Sequence, residues 1–207
     1  MRLYVADHPL IAHKVTILRD KATPSATFRL LVDELVTLLA YEATRNVRVV
    51  PREVETPLTT TTGTTIARPA PIIVPILRAG LGMLDGMARL LPSAEVGFLG
   101  LKRDEKTLKA VTYANRLPDD LTGRQVFVLD PMLATGGSAV QALTIVKENG
   151  AVNPTLVSIV SSPEGVAEVE KHHPGTVIHT AALDRTLNAR KYILPGLGDF
   201  GDRLYGT

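Results

Sequence analysis

Residues 126–138 read Val-Phe-Val-Leu-Asp-Pro-Met-Leu-Ala-Thr-Gly-Gly-Ser, and these types in this order suit an anion cradle. Val126 to Leu129 form a short apolar run bounded by turn residues, the pattern of a buried strand. Asp130 closes it. Thr135, Gly136, Gly137 and Ser138 then make a small-residue turn, and Ala139, Val140, Leu143 and Val146 begin a helical period. Glycines let the backbone come close to an anion. The N–H groups of the turn and of the helix start point at it. The hydroxyls of Thr135 and Ser138 add donors. Asp130 is itself an anion, so it suits the hydroxyls of a ribose rather than the phosphate. A Gly-Gly turn by itself is commonly a packing device in a βα unit. An acid followed by Thr, Gly, Gly and Ser is a more specific signal.

Three other segments carry polar groups that could act on the same ligand. Pro75-Ile76-Leu77-Arg78-Ala79-Gly80-Leu81-Gly82 is a second strand-to-glycine turn, in which an Arg among small residues can present its fork to a diphosphate. Taken alone, it is a surface Arg after a strand. Lys102-Arg103-Asp104-Glu105-Lys106-Thr107-Leu108-Lys109 mixes both signs and reads as a solvated loop. The tail from Tyr192 to Arg203 combines Pro195 with glycines at 196, 198 and 201, which forces an irregular backbone. Such a backbone leaves N–H and C=O groups in need of partners, and a planar base with alternating donor and acceptor edges supplies them. Read blandly, the tail is a glycine-rich coil. His172-His173 could hold a metal, but the stronger reading is a helix end, where cations favour the dipole.

The elements that must position these segments alternate along the chain. Thr23-Pro24 reads as a helix N-cap and first helical residue, with Phe28, Leu31, Leu35, Leu38 and Leu39 at helical spacing to about Tyr41. Residues 47–55 read as a strand, and the threonine-rich stretch 57–65 as a hairpin or solvated loop. Ile72–Leu77 reads as a strand, 82–91 as a helix, Val96–Leu101 as a strand and 102–120 as a long loop. A helix over 138–149 is stopped by Gly150. Leu156–Val160 is a strand, Ser162-Pro163 opens a helix to about His172, and Val177–Ala182 is the last clear strand. This alternation predicts an α/β fold, a mostly parallel sheet flanked by helices. Ligands in such sheets collect beyond the carboxyl ends of the strands. Arg78, Arg103, Asp130 and Asp184 follow strand candidates, which gathers four polar groups at one edge. The expected organisation is one domain over 1–207, with a helical segment 1–45 and a binding tail 184–207.

The bulk numbers exclude several function classes. With 207 residues, 45% of them hydrophobic, the chain is long enough for a sizeable core. It has no run approaching the ~18–20 apolar residues of a membrane span. Met-Arg-Leu-Tyr-Val-Ala-Asp-His at the start lacks the apolar region of a signal peptide, so cytoplasm is the expected compartment. Cysteine is absent, which removes disulfide and thiolate chemistry. A net charge of +2, no Trp and 4% aromatics argue against a nucleic-acid partner.

On these residues the chain resembles the type I phosphoribosyltransferases, whose substrate PRPP is 5-phospho-α-D-ribose 1-diphosphate. Asp-Pro-Met-Leu-Ala-Thr-Gly-Gly-Ser at 130–138, the tail, and the N-terminal His8-Pro9-Leu10-Ile11 and Thr16-Ile17-Leu18-Arg19-Asp20 resemble the uracil-specific branch. The resemblance implies transfer of phosphoribose from PRPP to uracil, giving UMP and diphosphate. It implies PRPP binding by Arg78, Arg103, Asp130, Pro131, Met132, Leu133, Ala134, Thr135, Gly136, Gly137, Ser138 and Asp199. Of these, Arg78, Arg103 and Asp130 would be catalytic. Uracil would meet Ile193, Gly198, Asp199 and Phe200. The loop 102–112 would close as a hood over PRPP, with Tyr113 at its far side, and a non-proline cis peptide is common beside the position of Arg78. Mg²⁺ would enter as Mg–PRPP, because Pro131 stands where the wider family has a second acid. A homodimer or homotetramer and a GTP effector are further implications. The chain departs from its branch at Lys102, where an aromatic is common, at Lys191, where glycine is common, and at Phe200, where alanine is common. Two alternatives share the fold: an RNA-binding regulator of pyrimidine genes, and an enzyme for hypoxanthine or orotate, the latter requiring a cation such as Lys191 or Arg203 for its carboxylate.

Overall fold

The computed structural model describes residues 2–103 and 110–207. The chain opens with β1 (Arg2–Val5), α1 (Pro9–Arg19) and α2 (Ser25–Ala43), followed by β2 (Val49–Glu55) and β3 (Thr60–Ile66). β4 (Ile72–Leu77) leads through a 3₁₀ turn into α3 (Leu84–Leu90), then β5 (Glu95–Val96), β6 (Phe98–Arg103) and β7 (Ala110–Arg116). The second half contains β8 (Val126–Leu129), β9 (Met132–Leu133), α4 (Gly137–Glu148), β10 (Thr155–Ser161), α5 (Pro163–His172) and β11 (Val177–Leu183). It closes with β12 (Thr186–Leu187), β13 (Ile193–Leu194) and α6 (Phe200–Tyr205).

The main sheet has the order β1-β11-β10-β8-β4-β6-β7, and only the β6–β7 edge is antiparallel. Its central strands are continuous apolar runs because both faces are covered. Alternation along β8 shows this: Phe127 and Leu129 join α1, α2, α3 and α6 on one face. Val126 and Val128 join α4 and α5 on the other. The parallel order brings the carboxyl ends of β4, β8 and β11 to one edge, with Arg78, Asp130 and Asp184 directly after them.

Four expectations need correction. Residues 110–116, expected within a long loop, form β7 and pair with β6, Leu99 opposite Asn115 and Leu101 opposite Thr112. The mixed polarity of β7 conceals it, since an edge strand buries little. The segment expected to be helical from the start begins with β1, which adds in parallel to β11. Thr23 does not cap α2. Its hydroxyl donates to the Ile17 carbonyl at 2.6 Å, and Pro24 takes the cap position without a side-chain bond. Finally, the glycine-rich tail ends in a helix, α6.

Candidate active site

The segment after β8 is built in two halves. The first is a wall. The Pro131 carbonyl accepts from the Ile159 and Val160 N–H groups, both at 3.1 Å, and Met132 and Leu133 pair with β10. Ser162 caps α5 by accepting from the Gly165 N–H at 2.9 Å, and its hydroxyl donates to the Ala134 carbonyl at 2.6 Å. The start of α5 therefore buttresses the turn.

The second half is open. Gly136 sits at φ 81°, and a Cβ there would lie 2.9 Å from the Gly165 carbonyl oxygen. This turn needs glycine for conformation and for space. Gly137 differs: its missing Cβ would meet nothing nearer than the Thr135 hydroxyl at 3.9 Å. The 12-residue α4 begins there with Gly136 at its cap and no side-chain hydrogen bond. Its first N–H groups thus face outward over exposed Gly137 and Ser138, an arrangement that favours an anion.

Asp130 stands at the floor of this turn, its backbone N–H donating to the Val157 carbonyl at 3.1 Å. Burial pushes its carboxyl up to about 7, opposed in part by the Met132 N–H that it accepts. The residue as a whole is half-buried. A carboxyl held near neutrality in this way is ready to ionise when donors arrive, and vicinal hydroxyls are such donors.

Arg78 follows β4 on a cis Leu77–Arg78 peptide, as the resemblance implies. It is exposed and has no ion pair among the described residues. Gly80 lets this turn lie against the end of β8, since a Cβ there would be 2.7 Å from the Leu129 carbonyl oxygen. Arg103 is the last residue of β6, so its backbone reaches the same edge. The hood expectation falls largely on residues 104–109, which lie outside the described residues. Tyr113 anchors the far flank, with its ring packed over Gly100.

The base-loop candidates lie between β13 and α6. Ile193 and Phe200 are buried, and the Phe200 ring meets Phe28 edge-on at 5.5 Å. Both side chains belong to the core, so what they offer a ligand is backbone. Gly198 is exposed at φ 84°, and the Asp199 carboxylate caps α6 by accepting from the Asp202 N–H at 3.0 Å. Arg203 is not a spare cation for an orotate carboxylate. Its guanidinium donates to the Leu18, Asp20 and Leu197 carbonyls and lies over the Phe28 ring. Lys191 adopts φ 67°, a left-handed conformation that accounts for the glycine common there.

Two histidine and acid expectations resolve by contact. His173 packs its Nε2 against the Val140 carbonyl and Thr144 hydroxyl, both 3.1 Å away, and burial lowers its pKa. His172 and His173 end α5 as their place in the sequence predicts, and His173 also joins α5 to α4. Asp184 does not face the ligand edge as a free acid; it takes the Arg19 guanidinium and the Gly196 N–H. Sequence spacing assigns Arg19 no role, because its partner is 165 residues away.

A cavity of about 1130 Å³ lies at the opposite, amino edge of the sheet, lined by Tyr4, Arg48, Thr155 and His179 among others. The start of α4, Asp130 and Arg78 lie elsewhere, at the carboxyl edge. We place the chemistry there, because parallel sheets direct ligands to the carboxyl ends of their strands.

The chain is similar to known proteins along its whole length. A family model described as uracil phosphoribosyltransferase matches residues 5–207. The uracil phosphoribosyltransferase of Kineococcus radiotolerans is 64% identical over 210 residues, covering 100% of both chains. A solved protein of Aquifex aeolicus is similar at TM-score 0.93 and 39% identity, covering 99% of this chain and 98% of its own. The adenine phosphoribosyltransferase of Leishmania donovani is similar in fold, at TM-score 0.58 and 15% identity, over 88% of this chain and 83% of its own.

Proposed function

The chain belongs to the uracil phosphoribosyltransferase family, and we propose that two loops at one sheet edge divide its reaction between them. Uracil and PRPP become UMP and diphosphate. The turn 135–138 and the start of α4 take the 5-phosphate on backbone N–H groups. Asp130 accepts from the ribose hydroxyls, Arg78 stands at the same sheet edge for the diphosphate, and Arg103 would add charge to it. Backbone groups around Gly198 hold uracil with N1 toward the anomeric carbon. The C–N bond forms as the C–O bond to diphosphate breaks, with oxocarbenium character between them. Fixed geometry and fixed charge carry such a displacement.

The residues present fit Mg²⁺ that travels on the substrate. Asp130 is followed by Pro131, so no second acid adjoins it in the chain to hold the ion against the protein. Bound to the diphosphate, the ion would neutralise leaving-group charge.

The observation that carries this reading is the Gly136–Gly137 start of α4, open at Gly137 and directly after the turn from Asp130. The test is turnover of Mg–PRPP with uracil, hypoxanthine and orotate in parallel. UMP should form and the other two nucleotides should not. Product from orotate alone would overturn the base and keep the PRPP site.

Two finer readings rest on other surfaces. The β2–β3 ribbon pairs with itself outside the main sheet and exposes Val49, Val50, Val54 and Leu58. Such a ribbon is marginal alone in water, which favours a homodimer or homotetramer that covers it. A GTP effector would find partners at the amino-edge cavity, where Tyr4 and His179 stack at 4.9 Å beside Arg2 and Arg48. Sedimentation with and without GTP, beside the turnover assay, tests both.

A further inference from the structure

The base loop is held by an N-terminal residue. Arg19, the last residue of α1, spreads its guanidinium over the Asp184 carboxylate, with Nη1 to Oδ2 at 2.8 Å and Nη2 to Oδ1 at 2.5 Å. The same Nη1 donates to the Gly196 carbonyl at 2.8 Å. Asp184 Oδ2 accepts from the Gly196 N–H at 2.8 Å. One ion pair therefore satisfies both backbone groups of a single loop residue.

That residue is the pivot of the loop. Gly196 lies at φ 59° after the cis Leu194–Pro195 peptide, and a Cβ there would fall 2.2 Å from the Ile193 carbonyl oxygen. A forked cation and a planar carboxylate fix direction as well as distance. The Asp184 side chain is only 4% exposed, so water competes little for these bonds. Arg203 repeats the tie further on, joining the Leu197 carbonyl to the carbonyls of Leu18 and Asp20 at the end of α1. The backbone of Gly198 is thus suspended between two anchors on the same N-terminal helix.

We propose that Arg19 and Asp184 are positioning residues for the base: their ion pair sets the Pro195–Gly196 turn and so aims the backbone groups that receive uracil. The proposal rests on the assignment of this loop to uracil. Neither side chain is placed against substrate, and the 135–138 turn is built from other contacts, so the effect should separate by substrate.

The experiment uses the full chain with Arg19→Lys, Arg19→Gln and Asp184→Asn, and the double variant Arg19→Gln/Asp184→Asn. The KM for uracil should rise about 10–100-fold, the range expected when a buried hydrogen bond to the base is left unmade. Affinity for Mg–PRPP, measured by calorimetric titration, should fall far less than the uracil KM rises, because the 135–138 turn keeps its own contacts and only Asp199 lies in the loosened loop. Discrimination of uracil over cytosine should fall. Arg19→Lys should be intermediate, because it keeps the charge and loses the fork. The double variant should be no worse than the poorer single one, since both break one clamp. Folded variants with wild-type uracil KM and discrimination would overturn the proposal. So would equal losses toward uracil and PRPP, which indicate a general structural role. Should Arg19→Gln fail to fold, Arg19→Lys and hydrogen exchange over 193–200 decide: unchanged exchange overturns the clamp. A wild-type protein that uses another base would overturn the uracil assignment instead, and the same variants are then read with that base.

Discussion

The phosphate turn and the base loop sit at the same sheet edge, yet they are made in opposite ways. The turn is local. Strand β8, Asp130, Gly136 and α4 follow one another, and the supporting cap at Ser162 lies 28 residues from Ala134. The base loop is assembled across the chain, with hydrogen bonds spanning 177 residues from Arg19 and 185 from Arg203. A phosphate is near-spherical and needs only converging N–H groups. A base needs donors and acceptors in one plane and one order, a stricter demand that a flexible tail cannot meet unaided.

The largest effect should come from the base loop. Uracil presents an acceptor at O4 and a donor at N3, and cytosine reverses both. Fixed backbone groups around Gly198 cannot reverse with it, so kcat/KM should favour uracil by about 10⁴-fold or more. Comparable rates would mean that the loop is not rigid, and the contrast with the turn would collapse.

Next, the turn separates into a conformational and a ligand-facing glycine. Gly137→Val adds a side chain where there is room, so its melting temperature should stay within a few degrees of wild type. Its Mg–PRPP affinity should fall at least about 100-fold, because the β-branched group stands where the anion approaches. Gly136→Val should instead lose several kcal/mol of stability from the left-handed backbone and the Gly165 clash. Similar melts for the two variants would erase the distinction.

Asp130→Asn probes the floor of the turn. Loss of the charge-assisted bonds to ribose should cost about 1.5–3 kcal/mol in PRPP binding. The unliganded protein should respond in the opposite sense. Its carboxyl, pushed up to about 7, keeps its proton when the unfolded chain has lost it. That contribution is full below the ordinary carboxylate range and disappears as pH rises through 7. Asparagine cannot ionise, so the variant should gain stability over wild type at pH 8 relative to pH 5. The gain is about 1–3 kcal/mol, reduced from full linkage because the residue is only half-buried. Denaturant melts at both pH values check it, and a pH-independent difference would refute the shifted carboxyl.

The smallest effect belongs to Lys191. Lys191→Gly relieves a left-handed backbone worth about 1 kcal/mol and loses part of that through the freer unfolded chain. A net gain below about 1 kcal/mol is expected, with uracil KM unchanged, because Asn188 already fixes the turn through the Lys191 and Tyr192 N–H groups. A changed KM would extend the base site back to this hairpin.

How much was legible in the sequence follows from the same contrast. The strand at 126–129, its acid, the Gly-Gly turn and the helix to Glu148 depend on neighbours in the chain, and each stands where the residue pattern places it. The parallel sheet followed from alternating apolar runs, because strands buried on both faces must be apolar throughout. The strand at 110–116 was hidden because an edge strand needs no apolar run, and β1 because so short a segment owes its form to β11. Sequence marked the tail as irregular and rich in backbone groups. It could not say which groups were already engaged. Tertiary structure decided that, by sending Phe200 and Ile193 into the core, turning Asp184 to Arg19 and using up Arg203 on three carbonyls. Local order is written in adjacent residues. Which polar groups are left free for a ligand depends on partners that only folding brings within reach.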